Sequence, residues 1–128
     1  MNLVIGGAFQ GKRAYTSRTF CLEQPEWMDG KNCELEELFT GRAIYDFHEY
    51  LRRGLEAEWL TDDFVEQLIQ KNPDILIVSN EIGYGIVPVT AVEREYREMV
   101  GRICTALAAK AQEVHRVTCG IGMVIKHG

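Results

Sequence analysis

The stretch Leu3-Val4-Ile5-Gly6-Gly7-Ala8-Phe9-Gln10-Gly11-Lys12 constrains this chain more than any other, because a short aliphatic run breaks directly into a glycine-rich turn that ends in lysine. Residues Gly6 to Lys12 fit the pattern G-x-x-x-x-G-K, which requires a strand before it and a helix after it. The aliphatics supply the strand, and the residues from Lys12 to about Phe20 tolerate a helix. In such a turn the glycines let successive backbone N–H groups face one anion. The helix N-terminus adds positive potential, and the lysine reaches the terminal phosphates. Gly6, Gly7, Ala8, Phe9, Gln10, Gly11 and Lys12 are therefore candidate nucleotide-binding residues, against the plainer alternative of a tight strand-to-helix connection. Arg13 departs from the pattern, which takes a Ser or Thr hydroxyl there for a magnesium ion. Either the ion is held by water and other carboxylates, or Arg13 itself neutralises phosphate charge, or phosphoryl transfer is weakened or lost.

The second strong pattern is Asp74-Ile75-Leu76-Ile77-Val78-Ser79-Asn80-Glu81, an aliphatic run ending in polar residues, which reads as a central parallel strand. Ligands sit at the carboxyl ends of strands in open α/β sheets, so Asn80 and Glu81 are candidate site residues from position alone. Between these strands, Cys21 to Asn32 looks irregular, with Trp27-Met28 a possible short strand. From Leu35 the apolar residues Leu38, Phe39, Ile44, Phe47 and Leu51 recur at helical spacing and predict one or two amphipathic helices ending at Gly54. Thr61-Asp62-Asp63 offers a helix N-cap, with Phe64, Val65, Leu68 and Ile69 as the apolar face and Asn72-Pro73 as the stop. A loop at Gly83 to Pro88 leads into a helix from Thr90 to Lys110, with Val92, Tyr96, Met99, Ile103, Leu107 and Ala111 on one side. Two short strands, Val114 to Cys119 and Met123 to Ile125, close a β-α-β alternation. The expected fold is α/β, a three-layer nucleotide-binding architecture with a mostly parallel central sheet, in one domain over residues 1–128.

Composition limits what such a domain does. The formal charge of -5 argues against nucleic acid, whose binders need a dense Lys/Arg footprint. No apolar run approaches the ~20 residues that span a bilayer, and Met1-Asn2-Leu3-Val4-Ile5 lacks the basic region of a signal peptide, so a cytoplasmic protein is expected. Cys21, Cys33, Cys104 and Cys119 lie far apart, with no His at zinc-finger spacing, so buried thiols and no protein-held metal centre are expected.

Asn80-Glu81-Ile82-Gly83-Tyr84-Gly85-Ile86-Val87-Pro88 resembles the N-E-V-G-x-G-I-V-P string of the adenosylcobinamide kinase/adenosylcobinamide-phosphate guanylyltransferase family of cobalamin assembly. Arg94-Glu95-Tyr96-Arg97-Glu98 with Gly101-Arg102 is similar to that family's R-x-F-R-D-x-x-G-R helix, and Cys119-Gly120-Ile121-Gly122 with Lys126 to its last strands. The loop at Gly6 to Lys12 is similar to G-G-A-R-S-G-K-S. The family's D-C-L-T-x-W strand, with its metal-site Asp, has no counterpart, so the chain resembles a shortened member. The resemblance implies the P-loop NTPase-like fold, ATP or GTP as substrate with Mg2+, a corrinoid as the second substrate, and assembly into a homo-oligomer.

In that family a histidine in an H-x-x-x-R-P context takes the guanylyl group. The candidate here is His48 in His48-Glu49-Tyr50-Leu51-Arg52-Arg53, which keeps the spacing to Arg52 without the proline. A neutral imidazole is a competent nucleophile, and a helix-surface histidine is the alternative. Glu81 is a candidate to take the hydroxyl proton, to hold magnesium through water or to bind the guanine edge, oriented by Asn80; capping the loop after it is the alternative. The expected activity is phosphorylation of adenosylcobinamide with GMP transfer to the product as a further step. A non-catalytic nucleotide-binding module is the rival.

Overall fold

Period-two alternation along β1 (Asn2–Gly6) turns Leu3 to one face of a sheet and Val4 to the other, and both are fully buried, so both faces have to be covered. The computed structural model, which describes residues 1–81 and 90–127, meets that demand with three layers. Six strands run in the order β2-β3-β4-β1-β5-β6. They are β1, β2 (Trp27–Asp29), β3 (Ala43–Tyr45), β4 (Leu76–Asn80), β5 (Glu113–Thr118) and β6 (Ile121–Lys126). The first five pair in parallel, and β6 runs antiparallel to β5.

One face carries the larger core. Leu3, Ile44, Ile77 and Val114 meet Phe47, Tyr50 and Leu51 of α2 (Phe47–Glu56), Phe64, Val65 and Leu68 of α3 (Phe64–Lys71), and Tyr96, Met99, Val100 and Leu107 of α4 (Ala91–Lys110). The other face is covered around α1 (Lys12–Thr19): Val4, Val78 and Val117 lie against Tyr15, and Phe20 packs beside Leu22 and Leu76. This is the three-layer, mostly parallel α/β arrangement expected, of the P-loop NTPase-like type. The two strongest aliphatic runs are its central strands, with Gly6 in register with Asn80.

Several local expectations need correction. The segment from Leu35 to Leu51 is not one or two α-helices: it is a 3-10 helix (Leu35–Phe39), then β3, then α2. Ile44 belongs to the strand and Phe47 to the helix, and burial of both on one core mimics helical spacing. The last two strands form a hairpin rather than another β-α-β unit. Its turn, Cys119-Gly120, has positive φ at both residues (52° and 76°), the geometry that matches the strand twist and favours glycine at the second position. The α3 helix is preceded by Asp63 rather than Thr61, whose hydroxyl instead donates to Asp63 Oδ1 at 2.5 Å. Val92 on α4 is exposed, outside the buried stripe. Cys21 and Cys119 are exposed, both at positive-φ turn positions, so only Cys33 is a fully buried thiol. The helix expected from Thr90 begins at Ala91, with Thr90 as its N-cap, accepting the Glu93 N–H at 3.1 Å. The loop expected at Gly83 to Pro88 lies outside the described residues. Among the described residues no helix is long and apolar enough to cross a membrane.

Candidate nucleotide-binding site

The turn after β1 curls because two of its residues take left-handed backbone: Phe9 (φ 60°) and Gly11 (φ 81°), the latter standing as N-cap of α1. The curl brings Lys12 back over its own loop, where Nζ donates to the Gly7 carbonyl at 2.7 Å. Lys12 is buried, and burial lowers its pKa while the carboxylates of Asp46 and Glu81 oppose that shift. A buried ammonium with one carbonyl partner keeps donor capacity for an anion. The loop is fixed from the side by the β5–β6 turn: Cys119 N–H donates to Gln10 Oε1 at 2.7 Å and Gly120 N–H to the Gln10 carbonyl at 2.8 Å.

Ala8, Phe9, Gln10, Gly11, Lys12 and Arg13 line a cleft of about 480 Å³. The opposite wall brings Lys31, Tyr45, Asp46, His48, Glu49 and Asn80 to the same space. All belong to the carboxyl ends of parallel strands or to the segments just beyond those ends, the position expected for a ligand in such a sheet. Arg13 lies with its guanidinium over the Tyr45 ring, 4.0 Å from the centroid, with Trp27 at 5.8 Å. Its guanidinium is thus a wall of the cleft rather than a substitute for the hydroxyl.

His48 is buried in the first turn of α2, not on the helix surface. Its Nδ1 accepts the backbone N–H of Asn80 at 3.2 Å, and its carbonyl accepts the Tyr96 hydroxyl at 3.2 Å. Burial is the main cause holding its pKa below the ordinary value, against the pull of Asp46 and Glu49, so the ring is neutral near pH 7. Arg52 does not face the cleft; it covers the Tyr96 ring at 3.8 Å and pairs with Glu93 at 3.0 Å.

Glu81 lies to the side of the cleft lining. Its backbone N–H donates to the Gly6 carbonyl at 2.8 Å and its carboxylate takes Arg116 Nη2 at 2.9 Å. Asp46 is the acidic group that sequence reading missed. It comes directly after β3 with φ 51°, and its Oδ2 is 3.8 Å from Lys31 Nζ. The three apolar residues Ala43-Ile44-Tyr45, set between Gly41-Arg42 and Asp46, were the available sign that a strand end lay here. Lys31 was hidden in an irregular segment. It is presented by a turn that Arg53 clamps, with Nη1 donating to Gly30 O at 2.9 Å and Nη2 to Cys33 O at 2.8 Å.

Among the described residues no cluster of three His, Cys, Asp or Glu side chains would hold a metal unaided, but magnesium takes one or two carboxylates and completes its shell with water and substrate phosphates. Asp46 and Glu49 bring two carboxylates to the lining of the cleft that also holds Lys12.

The pattern of the family described as cobinamide kinase / cobinamide phosphate guanyltransferase matches residues 38–125, more than half of the chain. The match takes in His48, Asn80 and Glu81 and starts after the Gly6 to Lys12 loop. Two curated proteins are similar, both described as bifunctional adenosylcobalamin biosynthesis protein CobU. The one from Salmonella typhimurium is 44% identical over 69 residues, 51% of this chain and 38% of its own length. The one from Escherichia coli is 46% identical over 52 residues, 41% of this chain and 29% of its own length.

Proposed function

The chain belongs to the cobinamide kinase / cobinamide phosphate guanyltransferase family, and on that premise we propose that it is a nucleotide-dependent phosphotransferase of cobalamin nucleotide-loop assembly. It moves the terminal phosphoryl group of ATP or GTP to the aminopropanol hydroxyl of adenosylcobinamide. The matched segments span well under half of either bifunctional relative, so transfer of GMP to that product is a separate, finer activity. The observation that carries the reading is Lys12, buried at the floor of the cleft with its ammonium held inside the curl of its own loop.

In this reading the N–H groups from Gly7 to Lys12 and the N-terminus of α1 bind the phosphates, and Lys12 neutralises the charge that grows on the transferred group. Asp46 and Glu49 are the carboxylates that would hold a magnesium ion, and the ion would supply charge neutralisation for the phosphates. Asn80 fixes the ring of His48. Glu81 takes the substrate proton or steadies the metal only once its pair with Arg116 opens. A cytoplasmic setting and assembly of several copies belong to the same reading; Ile121, Met123 and Ile125, exposed on the outer strand β6, support the latter.

One observation favours a second reading, a binding module without turnover: Arg13 lies on Tyr45, and the loop has no hydroxyl for a metal. Incubation with γ-labelled ATP or GTP, magnesium and adenosylcobinamide separates the two. Label on the corrinoid supports the transferase. Bound but unconverted nucleotide supports the module, and no bound nucleotide overturns both.

A further inference from the structure

The turn from Asp29 to Cys33 is fixed in several ways, and it carries a lysine to the end of a strand. The backbone N–H of Lys31 donates to Asp29 Oδ1 at 2.9 Å, and those of Asn32 and Cys33 donate to the Asp29 carbonyl at 3.0 and 2.8 Å. Arg53 grips the carbonyls of Gly30 and Cys33. The Gly30 N–H donates to the Tyr45 carbonyl at 2.9 Å, and a Cβ on Gly30 would collide with the carbonyl oxygens of Tyr45 and Asp46. The turn is thus pressed backbone to backbone against the end of β3. The ammonium that it carries is loosely held by comparison. Lys31 is exposed, and its Nζ stands 3.8 Å from Asp46 Oδ2, beyond hydrogen-bond length. An exposed pair at that separation adds little to stability, so it does not account for so firmly built a turn.

Lys31 lines the same cleft as Lys12 and the phosphate loop. Burial first, and then the charges of Lys12 and Lys31, lower the pKa of the His48 ring against Asp46 and Glu49, so both ammonium groups act on one point of that cleft. The lysine of such a loop reaches the β- and γ-phosphates, which puts the terminal phosphate in the field of both lysines. Arg13, another cation of the lining, rests on the Tyr45 ring at 4.0 Å. For Lys31 the exchange of a loose carboxylate pair for a charge-assisted bond to phosphate is favourable, and its flexible stem allows it. We propose that Lys31 is a second phosphate-binding cation of this site, its ammonium passing from Asp46 to the terminal phosphate of a bound nucleoside triphosphate. The inference rests on the nucleotide occupying the cleft as proposed above. It names the residue by which the site tells triphosphate from diphosphate, so that the nucleotide is held less tightly once its terminal phosphoryl group has been passed on.

Calorimetry on the unaltered chain and on Lys31→Ala, with the β,γ-imido analogues of ATP and GTP and with ADP and GDP, tests the assignment. The side chain is exposed, so its truncation leaves the core untouched. Lys31→Ala should bind the triphosphate analogue that the unaltered chain prefers about 10-fold more weakly, and the matching diphosphate within about twofold, as for loss of a hydrogen bond to the terminal phosphate alone. A lysine that only supports the turn would move both ligands alike or neither. An equal loss for triphosphate and diphosphate, or no loss for either, therefore overturns the role of Lys31 and leaves the nucleotide reading standing. Failure of the unaltered chain to bind either analogue overturns the nucleotide reading and the role of Lys31 together.

Discussion

Gln10 and Cys119 lie far apart in the sequence and are joined by a 2.7 Å hydrogen bond from the Cys119 backbone N–H to Gln10 Oε1, so the last hairpin holds the phosphate loop in its curl. Gly120 repeats the contact on the Gln10 carbonyl at 2.8 Å. Truncating the side chain removes one of the two ties and leaves the other. Gln10→Ala should lower stability by about 1 kcal/mol, the usual net worth of one such bond, and weaken nucleotide binding about threefold through a less ordered loop. Chemical denaturation and calorimetry check the two effects. Unchanged affinity would mean that the loop keeps its shape without the hairpin.

Gly11 is a position in the loop where both backbone conformation and space work against a side chain. Its φ of 81° disfavours any L-residue, and a Cβ there would stand 3.2 Å from Gly120 Cα, which is backbone and cannot swing aside. Gly11→Ala should cost about 1–2 kcal/mol from the left-handed conformation alone and disturb the same hairpin contact. Thermal unfolding measures the loss.

These two positions also show why the sequence was legible where it was. The phosphate loop and β4 are local patterns, a glycine-rich turn after a short strand and an aliphatic run ending in polar residues, and both fold as their residues dictate. Ala43-Ile44-Tyr45 misled because three residues are too few to display alternation, and the buried Ile44 and Phe47 fell at helical spacing across a strand–helix junction. The other wall of the cleft depends on contacts between distant parts of the chain. Lys31 is presented only because Arg53 grips the carbonyls of Gly30 and Cys33, and His48 is buried only because α2 lies against β4 and α4. No single window of sequence contains such pairs.

Arg53 makes that dependence testable. Its planar fork spans two carbonyls at 2.9 and 2.8 Å, a geometry that an ammonium does not reproduce. Arg53→Ala should destabilise the chain by about 1.5–3 kcal/mol, and Arg53→Lys should recover less than half of that. Denaturant unfolding of the three proteins decides it; full recovery by lysine would show that charge, not the fork, matters.

The four thiols should separate by reactivity. Burial pushes the Cys104 thiol up to about 11 and raises that of Cys33 as well, so both are held protonated at pH 8 and carry little of the reactive thiolate. Cys21 and Cys119 are exposed. Iodoacetamide at pH 8 should modify Cys21 and Cys119 first, leaving Cys33 and Cys104 until the chain is unfolded, as read by peptide mass spectrometry. Early alkylation of Cys104 would contradict the packing of α4 on the sheet.

The central claim is that the cleft above Lys12 receives nucleotide phosphates. Calorimetric titration of the unaltered chain and of Lys12→Ala with the β,γ-imido analogue of GTP in the presence of magnesium tests it most directly. The account predicts one site per chain, weakened at least about 10-fold by the substitution, since a buried ammonium is removed from an anion's shell. Equal binding by the two proteins, or no binding by either, would contradict it.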